Sequence, residues 1–262
     1  MSSPETSHTG PREWDAEVYH RVSESQFRWG LEVLDRLSLD GDEVVLDAGC
    51  GSGRVTEVLV ERLPDGRVIA VDGSEEMVKK ARDVLGSRAD VRHVDLEKLE
   101  LEERVDAIFS NAVFHWIKDH RNLFARLRGS LAPGGRLIAQ CGGKGNVASL
   151  ASVILDVAGR QEYGEYLADV PKAWNFRGAD ETAQILEDVG FCDVNCWLEP
   201  KKVRPEEPLA FLRTVSLGPY MRVLPEELRD PFVNEVMKRM GDPLVLDYVR
   251  LNIAATVPAT AE

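Results

Sequence analysis

Three acidic residues, each placed directly after a short apolar run, are the clearest candidates for chemistry in this sequence. The first, Asp47, follows the run VVL and precedes glycines at 49, 51 and 53 in the order GCGSG. Glycines at such a turn allow positive φ angles and let the backbone approach a ligand closely. The dinucleotide-binding fingerprint would need another glycine where this chain has Arg54. Because a phosphate beside Asp47 would be repelled, the loop favours a ligand with cationic and hydroxyl groups.

The other two acids follow the next two predicted strands. Asp72 closes the run RVIAVD about 20 residues beyond the glycine loop, where a carboxylate can accept from both hydroxyls of a ribose. Asp95 ends the run HVD. An isolated aspartate after a strand is usually a turn residue or a helix cap. Three of them at successive strand ends, with a glycine loop at the first, predict a nucleoside-type site along one sheet edge.

The elements that would position these acids alternate between apolar runs and helical spacing. Helices are predicted at 54–63, 74–85 and 123–131, and strands at 43–48, 67–71, 91–94, 105–109 and 136–140. Strands that alternate with helices at this spacing indicate βαβ units and a parallel sheet covered by helices on both faces. We therefore predict an α/β fold with a doubly wound, mostly parallel seven-stranded sheet of the Rossmann-like type.

After the fifth strand the pattern becomes mostly helical. Helices are predicted at 146–166, 180–189 and across 205–241, where Pro219, Pro225 and Pro231 would interrupt them, and strand patterns return at 193–198 and 244–257. The predicted division of the chain is a disordered leader (1–11), an N-terminal helical lid (12–38), the core (39–204), a helical insertion that caps the substrate (205–241), and a final strand with its tail (242–262).

Composition and charge exclude several classes of protein. The 262 residues include 32 Lys and Arg against 45 Asp and Glu, a net charge of −13 without a dense basic cluster, which argues against a nucleic-acid partner. No apolar run approaches the ~20 residues of a membrane span, and the polar N-terminus lacks a signal-peptide core. The four cysteines have no partners at zinc-ligand spacing. We predict a cytoplasmic monomer or homodimer with free thiols and no metal.

Several runs of residues, in their order along the chain, resemble the class I S-adenosylmethionine-dependent methyltransferases. LDAGCGSG is similar to the glycine-loop motif of that family, AVDGSEEMV to its ribose motif and HVDLEKL to its adenine-flanking motif. VDAIFSNAVFHWI resembles the fourth-strand motif, and LAPGGRLI the turn into the fifth strand. A narrower resemblance, which includes WDAEVY and the C-terminal half, is to the trans-aconitate methyltransferases and their relatives, which methylate carboxylates. S-adenosylmethionine is thus the implied cofactor.

Carried over position by position, the resemblance implies a set of cofactor contacts. Asp47 and the glycines would hold the methionine end, Asp72 the ribose, Asp95 the adenine amino group, and Asn111 and Ala112 would border the sulfonium. The implied set is Tyr19, Gln26, Arg28, Asp47, Gly49, Gly51, Gly53, Asp72, Gly73, Ser74, Met77, Asp95, Leu96, Asn111 and Ala112. The chain departs from the trans-aconitate enzymes at His115, where they tend to have Gln, and at Gln26, where they tend to have Arg.

The candidate catalytic residue is His115, just beyond the fourth strand at the sheet edge where ligands bind. A histidine in an apolar setting is commonly a packed residue, so that reading stays open beside a role in orienting a substrate oxygen or removing a proton. Arg213 and Arg222 are candidates to grip an acceptor carboxylate. The full set of predicted substrate-binding residues is Trp116, Trp174, Phe176, Arg213, Tyr220 and Arg222.

The reaction expected from these residues is methylation of a small molecule. A carboxylate acceptor has an unperturbed pKa near 4, so it arrives ionised and needs no base, only alignment and exclusion of water. A phenol, amine or carbon acceptor would more often need His115 as the base. We place carboxylate O-methylation first and C-, N- or phenolic O-methylation of a specialised metabolite beside it. A protein that binds S-adenosylmethionine without turnover is the alternative of another class.

Overall fold

The computed structural model describes residues 24–168, 170 and 174–260. Two predictions made from the sequence fall outside this range: the disordered leader 1–11, and Tyr19 in the first half of the predicted lid. Of the residues predicted to form the lid, Glu24–Leu34 are helical.

One seven-stranded sheet forms the centre of the described chain, with the strand order β3-β2-β1-β4-β5-β7-β6. Its strands are β1 (Val44–Ala48), β2 (Arg67–Asp72), β3 (Asp90–His93), β4 (Val105–Asn111), β5 (Leu131–Gly142), β6 (Cys192–Val203) and β7 (Leu246–Thr256). The first five pair in parallel, whereas β7 lies antiparallel between β5 and β6. The predicted doubly wound, mostly parallel seven-stranded fold is confirmed.

Helices connect the strands and extend the C-terminal half. They are α1 (Glu24–Leu34), α2 (Arg54–Glu61), α3 (Glu75–Leu85), α4 (His120–Ser130), α5 (Ala148–Ala158), α6 (Gln161–Leu167), α7 (Ala179–Asp188), α8 (Pro208–Phe211), α9 (Gly218–Val223) and α10 (Glu226–Met240). A π-helical turn, Leu212–Ser216, joins α8 to α9. None of the helices in the described part of the chain has the length and hydropathy that crossing a bilayer requires.

Two details of the helical half differ from the sequence prediction. The single helix predicted for 146–166 is two helices, because α5 ends where the backbone N–H of Gly159 donates to Leu155, and α6 starts only at Gln161. Pro231 does not interrupt its helix but lies within α10. Pro219, in contrast, lies in the first turn of α9, where its missing N–H has no intrahelical partner to lose.

Two hydrophobic clusters cover the two faces of the sheet, because successive strand residues point to opposite sides. Leu46 and Ile108 are buried in one cluster, and their neighbours Val45 and Phe109 in the other. A third cluster lies among the helices of the C-terminal half and includes Trp29 of α1 and Tyr248 of β7. This third cluster joins the helices of the C-terminal half to the sheet beside β7.

Candidate active site

The glycine loop, residues 49–53, leaves β1 in a backbone conformation that glycine tolerates best. Gly49, Gly51 and Gly53 have φ angles of 95°, 55° and 85°. The N–H groups of Gly49 and Cys50 both donate to the carbonyl of Val71, which ties the loop to β2. A Cβ added at Gly49 would meet Val113 at 2.2 Å, whereas one added at Gly51 would meet nothing within 4 Å. The space beside Gly51 is therefore available to a ligand.

This space belongs to a pocket at the carboxyl ends of β1 and β4, which we call the loop pocket. It encloses about 470 Å³, part of it open to solvent. Its walls are Gln26, Phe27, Asp47, Gly49, Cys50, Gly51, Ser52, Arg54, Val55, Phe109 and Asn111. Parallel α/β sheets bind ligands in this position, outside the carboxyl ends of the strands.

Asp47 lies at the base of the loop pocket with 1% of its surface exposed. Its Oδ2 accepts from the hydroxyl of Thr56 at 2.7 Å. Burial raises the pKa of Asp47 to about 7; the Thr56 hydrogen bond opposes this shift, and the charge of Asp72 adds to it. A cation next to this carboxylate would favour its ionised form, so the site is matched to a ligand that carries an ammonium group.

Asp72, at the end of β2, closes the loop from the other side. Its Oδ2 accepts from the backbone N–H of Gly51 and its Oδ1 from that of Ser74, both at 2.9 Å. These bonds fix the carboxylate beside the glycine loop. Such a fixed carboxylate has the geometry to accept from a pair of ligand hydroxyls.

The residues predicted to surround an adenine follow β2 and β3. Ser74 is the N-cap of α3, with its hydroxyl accepting from the N–H of Met77, which is buried. The carbonyl of Gly73 lies 2.9 Å from Nε2 of His93. Asp95 caps the short turn Leu96–Lys98 through Oδ1, and Leu96 itself is buried in the core. The structure thus gives each of these residues a structural contact, and their role toward adenine stays a prediction.

Gln26 and Asn111 bring α1 and β4 together at the entrance of the loop pocket. The amide of Asn111 donates to the carbonyl of Gln26 at 2.9 Å. Oε1 of Gln26 and Oδ1 of Asn111 are buried acceptors without a hydrogen bond to the described residues. The next residue, Ala112, has a positive φ of 64°. Two buried acceptors at a pocket rim are a place where a ligand's donor groups would restore the missing hydrogen bonds.

A second pocket adjoins the first and shares Gln26 with it; we call it the aromatic pocket. It encloses about 460 Å³, part of it open to solvent, and the π-helical turn contributes to its wall. Its lining consists of Gln26, Ala112, His115, Trp116, Asn146, Val147, Trp174, Phe176, Val215, Ser216, Tyr248 and Arg250. The structure therefore brings four predicted substrate-site residues together here: His115, Trp116, Trp174 and Phe176.

The imidazole of His115 is held between β5 and the aromatic walls. It is 7% exposed, and its Nδ1 accepts from the backbone N–H of Gly142 at 3.2 Å. Because a backbone N–H always donates, the neutral ring must carry its own proton on Nε2. The ring centroid lies 4.9 Å from that of Trp116 and 5.7 Å from that of Phe176. His115 is thereby fixed as a hydrogen-bond donor.

Some predicted site residues do not line either pocket. Arg213 of the π-helical turn forms an ion pair with Asp230 of α10, and both side chains are largely exposed; Arg222 is also exposed. Tyr220 packs against Phe232 in the third hydrophobic cluster. Arg28 projects to solvent and pairs with Glu24 at 3.1 Å. The helical pattern of 205–241 identifies arginines but not which face of each helix turns inward. The structure places these four residues outside both pockets, and their roles stay predictions.

The sequence reading missed several functional candidates. Thr56 lies in the predicted helix after the loop, nine residues beyond Asp47. No local sequence pattern predicts that its hydroxyl contacts Asp47. Asn146, Ser216, Tyr248 and Arg250 reach the aromatic pocket from three separate segments, the last two from β7. Arg250 lies in the strand predicted at 244–257. A charged residue in a strand expected to be buried could have indicated a functional role.

Comparisons with known proteins relate this chain to methyltransferases. Residues 46–139 match the family described as "Methyltransferase domain". The trans-aconitate 2-methyltransferase of Acidovorax sp. (strain JS42) is 30% identical over 241 residues, which cover 88% of this chain and 90% of that protein. The enzyme of the same description from Mycobacterium tuberculosis (strain ATCC 25177 / H37Ra) is 30% identical over 234 residues, covering 87% and 88%.

Solved structures share the fold at lower identity. Phosphoethanolamine N-methyltransferase 2 of Haemonchus contortus, in complex with S-adenosyl-L-methionine, superimposes with a TM-score of 0.60 at 19% identity, over 93% of this chain and 56% of that one. The YcgJ protein of Bacillus subtilis gives a TM-score of 0.61 at 14% identity, over 87% and 97%. At these identities the likeness concerns the fold.

Proposed function

Since this chain belongs to the S-adenosylmethionine-dependent methyltransferase family that includes the trans-aconitate 2-methyltransferases, we propose that the methyl group it transfers goes to a carboxylate oxygen of a small organic acid. The chain is an enzyme of that family, and S-adenosylmethionine is its cofactor. The family membership leaves open which atom receives the methyl group. The aromatic pocket supplies the argument for a carboxylate.

The loop pocket fits the cofactor in three respects. The volume that a Cβ at Gly51 would enter is open, so the backbone can be approached closely there. The buried carboxylate of Asp47 is suited to the amino group of the methionine end, and the fixed carboxylate of Asp72 to the ribose hydroxyls. The buried acceptors of Gln26 and Asn111 lie where the loop pocket meets α1 and β4. These four side chains and the glycine loop would hold the cofactor.

The observation that carries the proposal is the hydrogen bond from Gly142 N–H to Nδ1 of His115. To act as a base, Nε2 would need a lone pair, so the proton of the neutral ring would have to sit on Nδ1. That proton would then point at the N–H of Gly142, which is also a donor. The structure thus supports His115 as a donor in the aromatic pocket. A donor orients and partly neutralises a carboxylate, whereas a phenol or amine acceptor needs a group that takes a proton away.

Methyl transfer to a carboxylate requires alignment of the acceptor more than proton transfer. When bound, S-adenosylmethionine supplies an electrophilic methyl group on a positively charged sulfur. A carboxylate with an ordinary pKa is already ionised at neutral pH. The chain's task is to hold one carboxylate oxygen in line at roughly 3–3.5 Å and to exclude water. His115 would donate to the acceptor, and Trp116, Trp174 and Phe176 would form the dry walls around it.

The test uses methyl-labelled S-adenosylmethionine with matched acids, phenols and amines. We expect label transfer to acids alone, and we expect mild alkali to release it as methanol, because the product is an ester. Alkali-stable label on a phenol or an amine would overturn the proposal and favour methylation with His115 as base. The release experiment separates esters from the ether and amine products of the alternative reaction.

His115→Gln distinguishes the two chemistries in the same assay. Glutamine keeps an N–H donor, so acid methylation should fall less than about tenfold, with cofactor affinity unchanged. Loss of a general base would instead lower the rate by about 10²–10⁴-fold, and the wild-type pH–rate profile would bend in the range where imidazoles titrate. That larger loss with intact cofactor binding would contradict the role of donor.

A further inference from the structure

Asn146 and Ser216 are two buried polar residues of the aromatic pocket with hydrogen-bonding groups that the protein does not use. Each has 5% of its surface exposed, and both line the pocket. Among the described residues, none accepts from Nδ2 of Asn146 and none bonds to Oγ of Ser216. A buried polar group without a partner costs free energy, and a ligand that supplies the partner recovers that cost.

The carboxamide of Asn146 is held in one orientation. Its Oδ1 accepts from the backbone N–H of Val249 on β7 at 2.9 Å. Because a backbone N–H always donates, the oxygen must lie on that side, and both hydrogens of Nδ2 lie on the other. The backbone N–H of Asn146 donates to the carbonyl of Gly143 at 2.9 Å and closes the turn after β5. Asn146 is therefore a fixed hydrogen-bond donor.

The missing side chain of Gly142 leaves room for this donor. A Cβ at Gly142 would lie 2.9 Å from Nδ2 of Asn146 and 2.6 Å from Cε1 of Phe176, which is also a wall of the pocket. The backbone N–H of the same glycine donates to Nδ1 of His115. Asn146 thus brings its donor to the side of the pocket where the proposed function places the acceptor carboxylate.

The backbone next to Asn146 is strained. Val147 has φ 46° and ψ 38°, a left-handed conformation that β-branched residues rarely adopt. Its N–H donates to the carbonyl of Asp247 at 2.8 Å, which holds the turn against β7. Ala112, on another wall of the same pocket, also has a positive φ. Such conformations concentrate at binding and catalytic sites, where the surrounding structure fixes a side chain in place.

Ser216 offers a second polar contact from a separate segment. It is the last residue of the π-helical turn, and π-helical turns are frequent at functional sites. Its hydroxyl can donate or accept, so a hydroxyl on the ligand pairs with it whichever of the two donates. The rings of Trp174 and Phe176 form a wall of the same pocket and stack with centroids 5.5 Å apart. Stacked aromatic rings suit a planar ligand body.

We infer that the methyl acceptor is a planar hydroxycarboxylic acid, that Asn146 donates to its carboxylate, and that Ser216 bonds to its hydroxyl. This inference rests on the proposed function and adds the residues that select the acid and its substituent. An amide N–H complements a carboxylate oxygen and gives an ammonium group no acceptor, so Asn146 also selects against amines. Trans-aconitate, the acceptor in the name of the relatives, carries no hydroxyl, so the predicted acid is a different one.

The first test asks whether Asn146 recognises the carboxylate. Calorimetry measures the binding of trans-cinnamate and its neutral isostere trans-cinnamamide to the protein saturated with S-adenosylhomocysteine. Asn146→Ser removes the amide without adding charge, and it should weaken cinnamate binding by about 10- to 150-fold, the range for a lost hydrogen bond to a charged group. The loss for cinnamamide should be several times smaller, and S-adenosylhomocysteine should bind within threefold of wild type.

Asn146→Asp makes the test sharper, because it keeps an oxygen toward Val249 and replaces the donor by a second oxygen. This variant should reverse the preference: cinnamamide can donate to the new carboxylate, whereas cinnamate is repelled. Asn234→Asp is the matched control. It makes the same change at an exposed residue of α10 that lines neither pocket, and it should leave both affinities within twofold of wild type.

The second test compares cinnamate with its ortho-, meta- and para-hydroxy derivatives. At least one isomer should bind the wild type about 3- to 10-fold more tightly than cinnamate, as expected for one neutral hydrogen bond, and Ser216→Ala should abolish this difference. Ser130→Ala is the matched control, because Ser130 is also 5% exposed but its hydroxyl already donates to the carbonyl of Arg126 at 3.0 Å. That variant should keep the difference.

Several outcomes would overturn the inference. Equal losses of cinnamate and cinnamamide in both Asn146 variants would assign Asn146 to a structural role, and unchanged cinnamate affinity would remove it from the acceptor site. A hydroxyl preference that is absent, or that survives Ser216→Ala, would contradict the hydroxy-acid class, as would a wild type that binds none of these acids. If the wild type methylates acids and Asn146→Ser keeps their KM, this inference fails and the proposed function stands. If no acid is methylated, the proposed function itself fails.

Discussion

Replacing Asp47 by asparagine should stabilise the free protein and weaken cofactor binding. The carboxylate is buried at the base of the loop pocket, and burial raises its pKa from 3.8 to about 7. A carboxyl whose pKa is higher in the folded than in the unfolded state loses stability as the pH rises between the two values. The penalty therefore grows from about pH 4 to about pH 7 and is constant above that range.

The size of both effects follows from the pKa difference. A pKa difference of about three units corresponds to about 4 kcal/mol. This is the upper limit for the increase in the free energy of unfolding that Asp47→Asn should give at about pH 8. Asparagine can keep an oxygen toward Thr56, so the hydrogen bond there need not be lost. Cofactor binding needs the ionised form. Affinity for S-adenosylhomocysteine in the wild type should therefore fall about 25-fold between about pH 7.5 and about pH 5.5, with release of a proton on binding below about pH 7.

The assay pairs chemical denaturation with calorimetry across this pH range. Asp47→Asn should unfold at higher denaturant at about pH 8, bind S-adenosylhomocysteine more weakly than wild type, and show a flat pH dependence of affinity. Asp106→Asn is the control: Asp106 accepts from the N–H of Val44, outside both pockets, and its replacement should leave the pH dependence of binding intact. A pH-independent wild-type affinity, or an Asp47→Asn protein less stable than wild type at about pH 8, would refute the reasoning.

Two further substitutions test the loop pocket. Gly51→Ala should fold, at a cost of about 1 kcal/mol for its positive φ, but lose most cofactor affinity because the methyl group enters the ligand volume. Gly86→Ala is its matched control, since Gly86 has nearly the same φ (56° against 55°) and equally open surroundings away from both pockets; similar affinity losses in both variants, by calorimetry, would contradict the assignment. Asp72→Ala should weaken S-adenosylhomocysteine binding by about 2–4 kcal/mol, because a charge-assisted contact to two hydroxyls is lost and Gly51 loses its acceptor. Unchanged affinity in that titration would remove Asp72 from the site.

Local sequence patterns were sufficient to predict the first five strands and the glycine loop that lines the loop pocket. The signals at Asp47, Asp72 and the loop glycines come from short runs in which a strand end, a turn and a helix start follow one another. A turn that needs positive φ restricts residue type at each position, so the sequence carries the information locally. The parallel order of the first five strands follows from the same alternation of strands and helices.

The aromatic pocket depends on contacts between residues far apart in the chain. Arg250 and Gln140 are 110 positions apart and meet only because β7 pairs with β5. Arg213 and Arg222 have the same residue type but face outward from the cap, and no periodic pattern distinguishes them from Arg250. The tautomer of His115 likewise depends on the backbone of Gly142, which the sequence does not place beside it. Tertiary contacts therefore determine which arginine lines the pocket and which nitrogen of His115 carries the proton.

The position of β7 has a consequence for the way the chain is made. The described residues that line the loop pocket lie before residue 112, and the five parallel strands are complete by Gly142, so this half can form early as the ribosome releases the chain. In the described chain, β6 pairs only with β7, so it leaves the ribosome before its neighbour exists. A premature stop between these two strands would leave the hydrogen-bonding edge of β5 uncovered, a surface that pairs readily with other chains and seeds aggregation. It would also lack Tyr248 and Arg250, so synthesis completes the aromatic pocket last.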